Sequence, residues 1–305
     1  LFLGWGILMR VLVTGAGGFL GKKILRVFRE HNVKVVATEK TAKNEIIQLD
    51  VTDKKMAELV LKEQKPDVVV HTAAVTAVDW CEEHRKETFE INVQGTKNVA
   101  LACKKIGAKM VLISTDYVFD GTKKTPYTEE DKTNPPNVYA ESKLEAEKIV
   151  QKELRDFIIG RVTVLYGYND DLDKKCYPMH VINSLAAQKE FECFVDQYSN
   201  PTLVNDIALA VLKLAEKNQS GLFHMTGSEN INRLDFAKKI AQVFGLDESL
   251  LRKGAWEKSG FVAKRPPFLN ISIKKLQNLG IKMSDTTQGL LKMKEDMKVL
   301  GNKKV

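Results

Sequence analysis

Two rhythms of hydrophobic residues share the N-terminal half of the chain. Arg10 to Thr14 is apolar almost throughout, which predicts a strand buried on both faces. Phe19, Leu20, Ile24, Leu25, Val27 and Phe28 then recur at helical spacing up to Glu30. Val33 to Thr38 predicts a second strand, and Glu45 to Leu49 a short third one. Asp53 is placed to cap a helix running to Glu63, and Asp67 to His71 reads as a fourth strand after Pro66. A long helical stretch from Asp79 to Ile106, broken near Glu87, leads to a fifth strand at Lys109 to Ser114. A helix from Val138 to Leu154 and a sixth strand at Phe157 to Val164 follow. Strands that are apolar throughout, alternating with helices, predict an α/β fold with a doubly wound parallel sheet.

After Gly167 the pattern loosens. Asn169 to Asp173 reads as a polar loop, Gly221 to Thr226 as a strand, and Val204 to Glu216 and Leu234 to Phe244 as helices. Arg265-Pro266-Pro267 reads as a loop before a last helical region. The expected organisation is a dinucleotide-binding domain at 9–166, with 203–226 returning to it. A smaller C-terminal substrate-binding lobe is expected from 167–202 and 227–305. Met9 directly precedes the first strand. Residues 1–8 are therefore expected to be a non-native or disordered extension, too short and too poor in basic residues for a signal peptide.

The 305 residues are 44% hydrophobic and 28% charged, which excludes intrinsic disorder and a small disulfide scaffold. No apolar run approaches the roughly 20 residues that cross a bilayer, so no membrane partner is expected. Lys and Arg total 47 against 39 Asp and Glu, a net charge of +8. Much of that excess is Lys mixed with Glu on helix faces, as in Glu141 to Lys148, the pattern of a solvated surface. Nucleic acid would call for a basic stripe interleaved with aromatics, which is not found. Cys81, Cys103, Cys176 and Cys193 form no CxxC pair, and the 5 histidines form no HExxH. Reduced thiols, a cytoplasmic setting and no metal site are the expectation.

Gly15-Ala16-Gly17-Gly18-Phe19-Leu20-Gly21 joins the first strand to the first helix. Gly15 permits the tight turn, Gly18 lets a pyrophosphate approach the backbone, and Gly21 lets helix and strand pack closely. The helix N-terminus beyond it favours an anion. Glu39 ends the second strand, where an acid accepts the ribose 2′-hydroxyl and repels a 2′-phosphate. That favours NAD, while the neighbouring Lys40 leaves NADP open. Asp50 and Val51 follow the third strand and are candidates to contact adenine; Ala73 and Ala74 follow the fourth and let the chain pass close to a cofactor. Tyr139 and Lys143 stand four apart on one predicted helix face. A nearby ammonium stabilises a phenolate, so such a Tyr can pass a proton to a carbonyl oxygen. With 7 Tyr in so Lys-rich a chain, about one such spacing arises by chance, and context must carry the motif. Thr115, at the carboxyl end of the fifth strand, is placed to orient a substrate oxygen.

Gly15 to Gly21, His71-Thr72-Ala73-Ala74, Ser114-Thr115-Asp116-Tyr117-Val118-Phe119-Asp120-Gly121 and Tyr139-Ala140-Glu141-Ser142-Lys143 together resemble the extended short-chain dehydrogenase/reductases. The Ser114 to Gly121 stretch looks most like their dTDP-4-dehydrorhamnose reductase branch. So do Thr76-Ala77-Val78-Asp79, Asp196-Gln197 with Pro201-Thr202, and Arg265-Pro266. The resemblance implies a Rossmann domain with a small C-terminal substrate lobe. It implies that Thr115, Tyr139 and Lys143 form the catalytic set, with Tyr139 donating the proton and Lys143 also holding the nicotinamide ribose. The implied reaction reduces the C4 ketone of a dTDP-linked 6-deoxyhexulose. Thr76, Val78, Asp116 and Tyr117 match segments lining the sugar pocket, Thr76 also lying beside the cofactor path, and Arg265 is a plausible diphosphate ligand. Val164 stands where bacterial reductases of this branch carry a Trp that packs on the sugar. The Leu165-Tyr166-Gly167 ending, and Gly221-Leu222-Phe223-His224 with Gly227, look like the regulatory β subunit of methionine adenosyltransferase. A dinucleotide-binding regulator partnering that enzyme, and a UDP-sugar reductase, are the alternatives; a homodimer also stays open.

Overall fold

The computed structural model describes residues 9–41, 45–169, 176–256 and 260–301. The expected extension at residues 1–8 lies outside the described residues, as does the polar loop beyond Asn169. The chain opens with β1 (Arg10–Thr14), α1 (Phe19–Glu30), β2 (Lys34–Glu39), β3 (Ile47–Gln48), α2 (Lys54–Gln64) and β4 (Val68–His71). Next come α3 (Val78–Glu83), α4 (Arg85–Phe89), a π-helical turn (Glu90–Gly95) and α5 (Thr96–Ile106). Strand β5 (Lys109–Thr115), α6 (Val138–Glu153) and β6 (Phe157–Val162) continue the alternation. The remainder is built from shorter pieces: β7 (Leu165–Tyr166), α7 (Tyr177–Ala186), β8 (Phe191–Phe194), β9 (Tyr198–Ser199), β10 (Thr202–Leu203), α8 (Val204–Glu216) and β11 (Gly221–His224). After them stand β12 (Ile231–Asn232), α9 (Arg233–Phe244), β13 (Leu251–Gly254), α10 (Lys274–Asn278) and α11 (Thr286–Gly301).

Seven strands form one sheet in the order β11-β6-β5-β4-β1-β2-β3. β1 runs parallel to β2 and β4, β2 to β3, and β4 to β5. The order reverses at β1, because β2 lies on one side of it and β4 on the other. That is the switch point where open α/β sheets bind ligands beyond the carboxyl ends of their strands. Val11, Leu12, Val13, Val69 and Val70 have no exposed surface, as strands covered on both faces require. One face packs under α2, α5 and α6 through Leu61, Val99, Cys103, Ala146 and Val150. Asp53 caps α2 as expected, accepting from the Lys55 and Met56 N–H groups at 2.8 and 3.0 Å.

The long helical stretch after β4 breaks at His84 and not near Glu87. His84 leaves helical geometry (φ −126°, ψ 56°), its ring stacks on Trp80, and its Nδ1 lies 2.9 Å from the Trp80 carbonyl. Strand β6 also stops earlier than the apolar run suggests. Val164 has φ +36°, an outlier conformation for a β-branched residue, and the extended run ends there.

The backbone divides into two compact units. The first runs to Ser114 and takes in Val138–Gly160 and Val211–Leu222. The second comprises Thr115–Asn137, Arg161–Ala210 and the chain from Phe223 onward. Its core gathers Tyr166, Leu203, Phe236, Ile240, Leu290 and Met293, with Phe236 against the Tyr166 and Tyr177 rings. β8 pairs with β13 and β9 with β12.

Candidate functional site

The glycine turn sits at the carboxyl end of β1. Gly15 has φ +65°, and a Cβ there would lie 2.8 Å from the Ala73 backbone, so only glycine fits the turn and the crossing chain. The Gly15 carbonyl accepts from Gly18 N–H at 3.0 Å, and a Cβ on Gly21 would collide with that same oxygen. At Gly18 a Cβ would meet only the Gly15 carbonyl, at 3.1 Å. Gly18 is the N-cap of α1 with no capping side chain, and the first turn carries no acid. The N–H groups of Ala16, Gly17 and Gly18 are taken by Thr38, Glu39 and Gly15, so what the turn offers an anion is the positive end of the α1 dipole, which a diphosphate needs. A pyrophosphate fits these residues; Phe19 and Leu20 follow in the first turn.

Glu39, at the end of β2, is folded onto this turn: its Oε2 accepts from Gly17 N–H at 2.6 Å. Lys40 is turned away, 3.1 Å from Asp50. Burial raises the Asp50 carboxyl, but hydrogen bonds from Thr52 and the Lys40 charge outweigh it and hold the group below its usual range. Val51 packs into the core against Gly95 of the π turn, and its carbonyl accepts from Asn98 at 3.0 Å. Only Asp50 of that pair keeps its side chain at the edge of the sheet. Ala73 and Ala74 follow β4, half-buried, with Ala73 against the glycine turn. Thr76 is exposed and Val78 opens α3.

His71 closes β4 and is buried with both ring nitrogens engaged. Thr96 donates to the Asn92 carbonyl at 2.6 Å, so it accepts from His71 Nε2 at 3.1 Å. Nδ1 then accepts from Thr14, at 2.8 Å. Burial first, and the Lys143 charge second, push this imidazole down to about 3, so it stays neutral.

Tyr139 and Lys143 stand one turn apart on α6. Lys143 is 4% exposed, and burial pulls its ammonium down to about 8, against the opposing pull of Glu147. Ser142 lies between them. It donates to the Tyr139 carbonyl at 2.7 Å and accepts from Asn92 Nδ2 at 3.0 Å. Asn92 also clasps both backbone groups of Val75, at 2.9 and 3.0 Å. The π turn points Asn92 inward and so ties the loop after β4 to α6. The sequence assigned Asn92 no role; a polar residue amid helically spaced apolar ones was its only signal.

Thr115 ends β5 and belongs to the second unit. It donates to Asp116 at 3.2 Å and accepts from Tyr117 N–H at 3.2 Å. Asp116 is buried, which pushes its carboxyl up to about 6 despite the Thr163 and Thr115 hydroxyls and the Arg233 charge. Tyr117 sits half-buried in the short 3₁₀ turn that follows. Arg265 donates to the Ala263 carbonyl at 2.9 Å and lies 3.8 Å above the Phe261 ring. No group of three or more metal-ligating side chains occurs among the described residues.

The profile of the RmlD substrate binding domain matches residues 9–299. The chain belongs to this family. It is thereby one of the extended short-chain dehydrogenase/reductases, a family of NAD(P)-dependent oxidoreductases. The crystal structure of a dTDP-4-dehydrorhamnose reductase from Clostridium acetobutylicum ATCC 824 is 34% identical, with a TM-score of 0.88 over 95% of this chain and 100% of that one. A dTDP-4-dehydrorhamnose reductase from Bacillus anthracis str. Ames, in complex with NADP, is 29% identical with a TM-score of 0.88, covering 95% and 100%. Bovine (Bos taurus) methionine adenosyltransferase 2 subunit beta is 33% identical over 89% of this chain and 83% of its own length. Family membership accords with the doubly wound sheet. No described helix is long and apolar enough to cross a membrane.

Proposed function

We propose that this chain reduces the C4 ketone of a nucleotide-linked 6-deoxyhexulose with NAD(P)H, dTDP-4-dehydrorhamnose being the first substrate to try. The observation that carries the reading is the buried Lys143 amine one helical turn from Tyr139. In this reading the first unit holds the dinucleotide and the second holds the sugar, in a cytoplasmic enzyme. The glycine turn and the first turn of α1 receive the pyrophosphate. Glu39 receives the adenosine ribose, and its charge favours NADH over NADPH. The cofactor, when bound, supplies the hydride. Tyr139 donates a proton to the carbonyl oxygen, Lys143 holds the nicotinamide ribose and lowers the phenol's pKa, and Thr115 polarises the ketone. Asp116 and Tyr117 beside Thr115, with Thr76 and Val78, are the proposed sugar contacts. Arg265, which holds the Ala263 carbonyl through one of its five N–H groups, is the proposed diphosphate ligand.

The test follows NADH and NADPH absorbance with dTDP-4-keto-6-deoxy-L-mannose and, in parallel, with UDP-linked keto sugars. Tyr139→Phe is expected to lower turnover by about 10²–10⁴ while NADH binding stays, because a transferable proton is lost with little volume. Near-normal turnover in that variant would falsify the mechanism. The second reading rests on the bovine relative at 33% identity. A regulator would bind NADH without consuming it and would co-purify with a methionine adenosyltransferase catalytic subunit.

A further inference from the structure

We infer that Phe261 is the stacking platform for the base of a nucleoside diphosphate-linked substrate, set beside Arg265 on one loop of the second unit. Phe261 is 40% exposed and its neighbour Val262 59%, an apolar pair left in water on a loop that also carries Lys264 and Arg265. The Phe194 ring meets Phe261 edge-on at 6.1 Å, and Val195 next to it is 37% exposed. The apolar surface therefore continues from the loop onto the end of β8. A contiguous apolar patch with a charged rim marks a ligand site, where a single exposed apolar residue would not. All of these residues belong to the second unit.

The ring is held from one side. The Arg265 guanidinium lies 3.8 Å over the Phe261 ring, and its Nη1 donates to the Ala263 carbonyl at 2.9 Å, which pins the cation to the ring. With one face covered, the surface that stays open is the other face and the rim. A nucleobase is flat and apolar enough to stack there, and the guanidinium on the same loop suits the diphosphate that follows the base. A sugar phosphate would use the cation and leave the ring in water; a free base would use the ring and leave the cation. Only a nucleoside diphosphate uses both. Stacking reads a π face and not a hydrogen-bond pattern, so thymine and uracil nucleotides are both accepted, thymine gaining the contact of one methyl group.

This assignment rests on the nucleotide-sugar reading above, and the experiment separates the two. In the full chain, with NADH present, calorimetric titration with dTDP and with UDP gives dissociation constants for wild type, Phe261→Ala, Phe261→Leu and Arg265→Ala at several salt concentrations. Wild type is expected to bind the two nucleotides within about fivefold of each other, the worth of one methyl group. Phe261→Ala weakens both about tenfold, the worth of one stacked base, and Phe261→Leu falls between. Salt separates the ring from the charge. Phe261→Ala keeps the wild-type salt dependence, because a phenyl group has no charge to screen, and Arg265→Ala flattens it. Unchanged affinity in Phe261→Ala overturns the assignment. A flattened salt dependence in that variant overturns it too, since the ring would then be a prop for Arg265, as does a wild type that binds neither nucleotide. Should Phe261→Ala fail to fold, the same readings on Phe261→Leu decide. NADH consumption with the keto sugars is followed alongside. Nucleotide binding through Phe261 in a chain that never consumes NADH sinks the reductase reading and leaves this one standing; turnover with unaltered affinity in Phe261→Ala does the reverse.

Discussion

At the scale of single residues, the proposed chemistry rests on a few side chains and glycines, some close along the chain and some brought together across it. Gly15, Gly18 and Gly21 lie within one turn, and Tyr139 and Lys143 within one helical turn, so a linear reading finds them. Glu147 and Ser114 meet across 33 positions, which no local pattern encodes. Lys40, the neighbouring candidate for a 2′-phosphate, pairs with Asp50 at 3.1 Å on the surface, and Glu39 alone faces the glycine turn. That pairing sharpens a prediction. Glu39→Ala removes the acid bonded to Gly17, so NADH affinity should fall roughly tenfold, the worth of a charged hydrogen bond. NADPH affinity should hold or rise, because the repulsion against a 2′-phosphate is gone. Equal losses for both cofactors, read by fluorescence titration, reject the ribose role.

At the scale of elements, periodicity found the strands and helices of the sheet unit but misread the segment between β4 and β5. A helical pattern with one expected break near Glu87 hid three events: the exit at His84, the π turn and the restart at Thr96. The pattern could not reveal them because long-range hydrogen bonds decide them. Asn92 spends its amide on Val75 and Ser142, contacts 17 and 50 positions away. Gly95 adds the close approach, since a Cβ there would meet Val51 at 2.8 Å. The extra residue per turn is what turns Asn92 inward. Asn92→Ala leaves the half-buried Val75 backbone groups without their side-chain partner. A loss of about 1–2 kcal/mol in urea unfolding is expected for the two lost bonds together. Turnover should fall with it, since the loop after β4 and the Tyr139 turn come loose from each other. Wild-type stability in this variant would show that the clamp is idle.

The whole molecule carries one buried neutral imidazole in each unit, His71 in the first and His224 in the second. Burial is the main cause in both, and each is pushed down to about 3 from an ordinary 6.5. Above pH 6.5 neither state of the protein holds these protons, and the stability is intact. Between 6.5 and about 3 the unfolded chain takes up protons that the folded one refuses. Each imidazole then costs up to about 1.4 kcal/mol per pH unit. Asp116 works the other way: raised to about 6, it takes its proton in the folded state first and returns some stability as pH falls toward 4. Two imidazoles with a wider window outweigh one carboxyl. Below pH 4, Asp131, held at about 2 by Lys123 and Thr128, joins the losing side. Lys143, lowered to about 8, adds stability only as pH climbs from there toward 10.5. The cofactor-free protein should therefore melt lower at each step from pH 7 to pH 4, by about 2–4 °C for every kcal/mol lost. Calorimetry at fixed ionic strength reads this directly. A melting temperature that holds level across that range means that at least one of the two imidazoles takes up its proton in the folded state, and the neutral ring drawn for His71 or for His224 is then wrong.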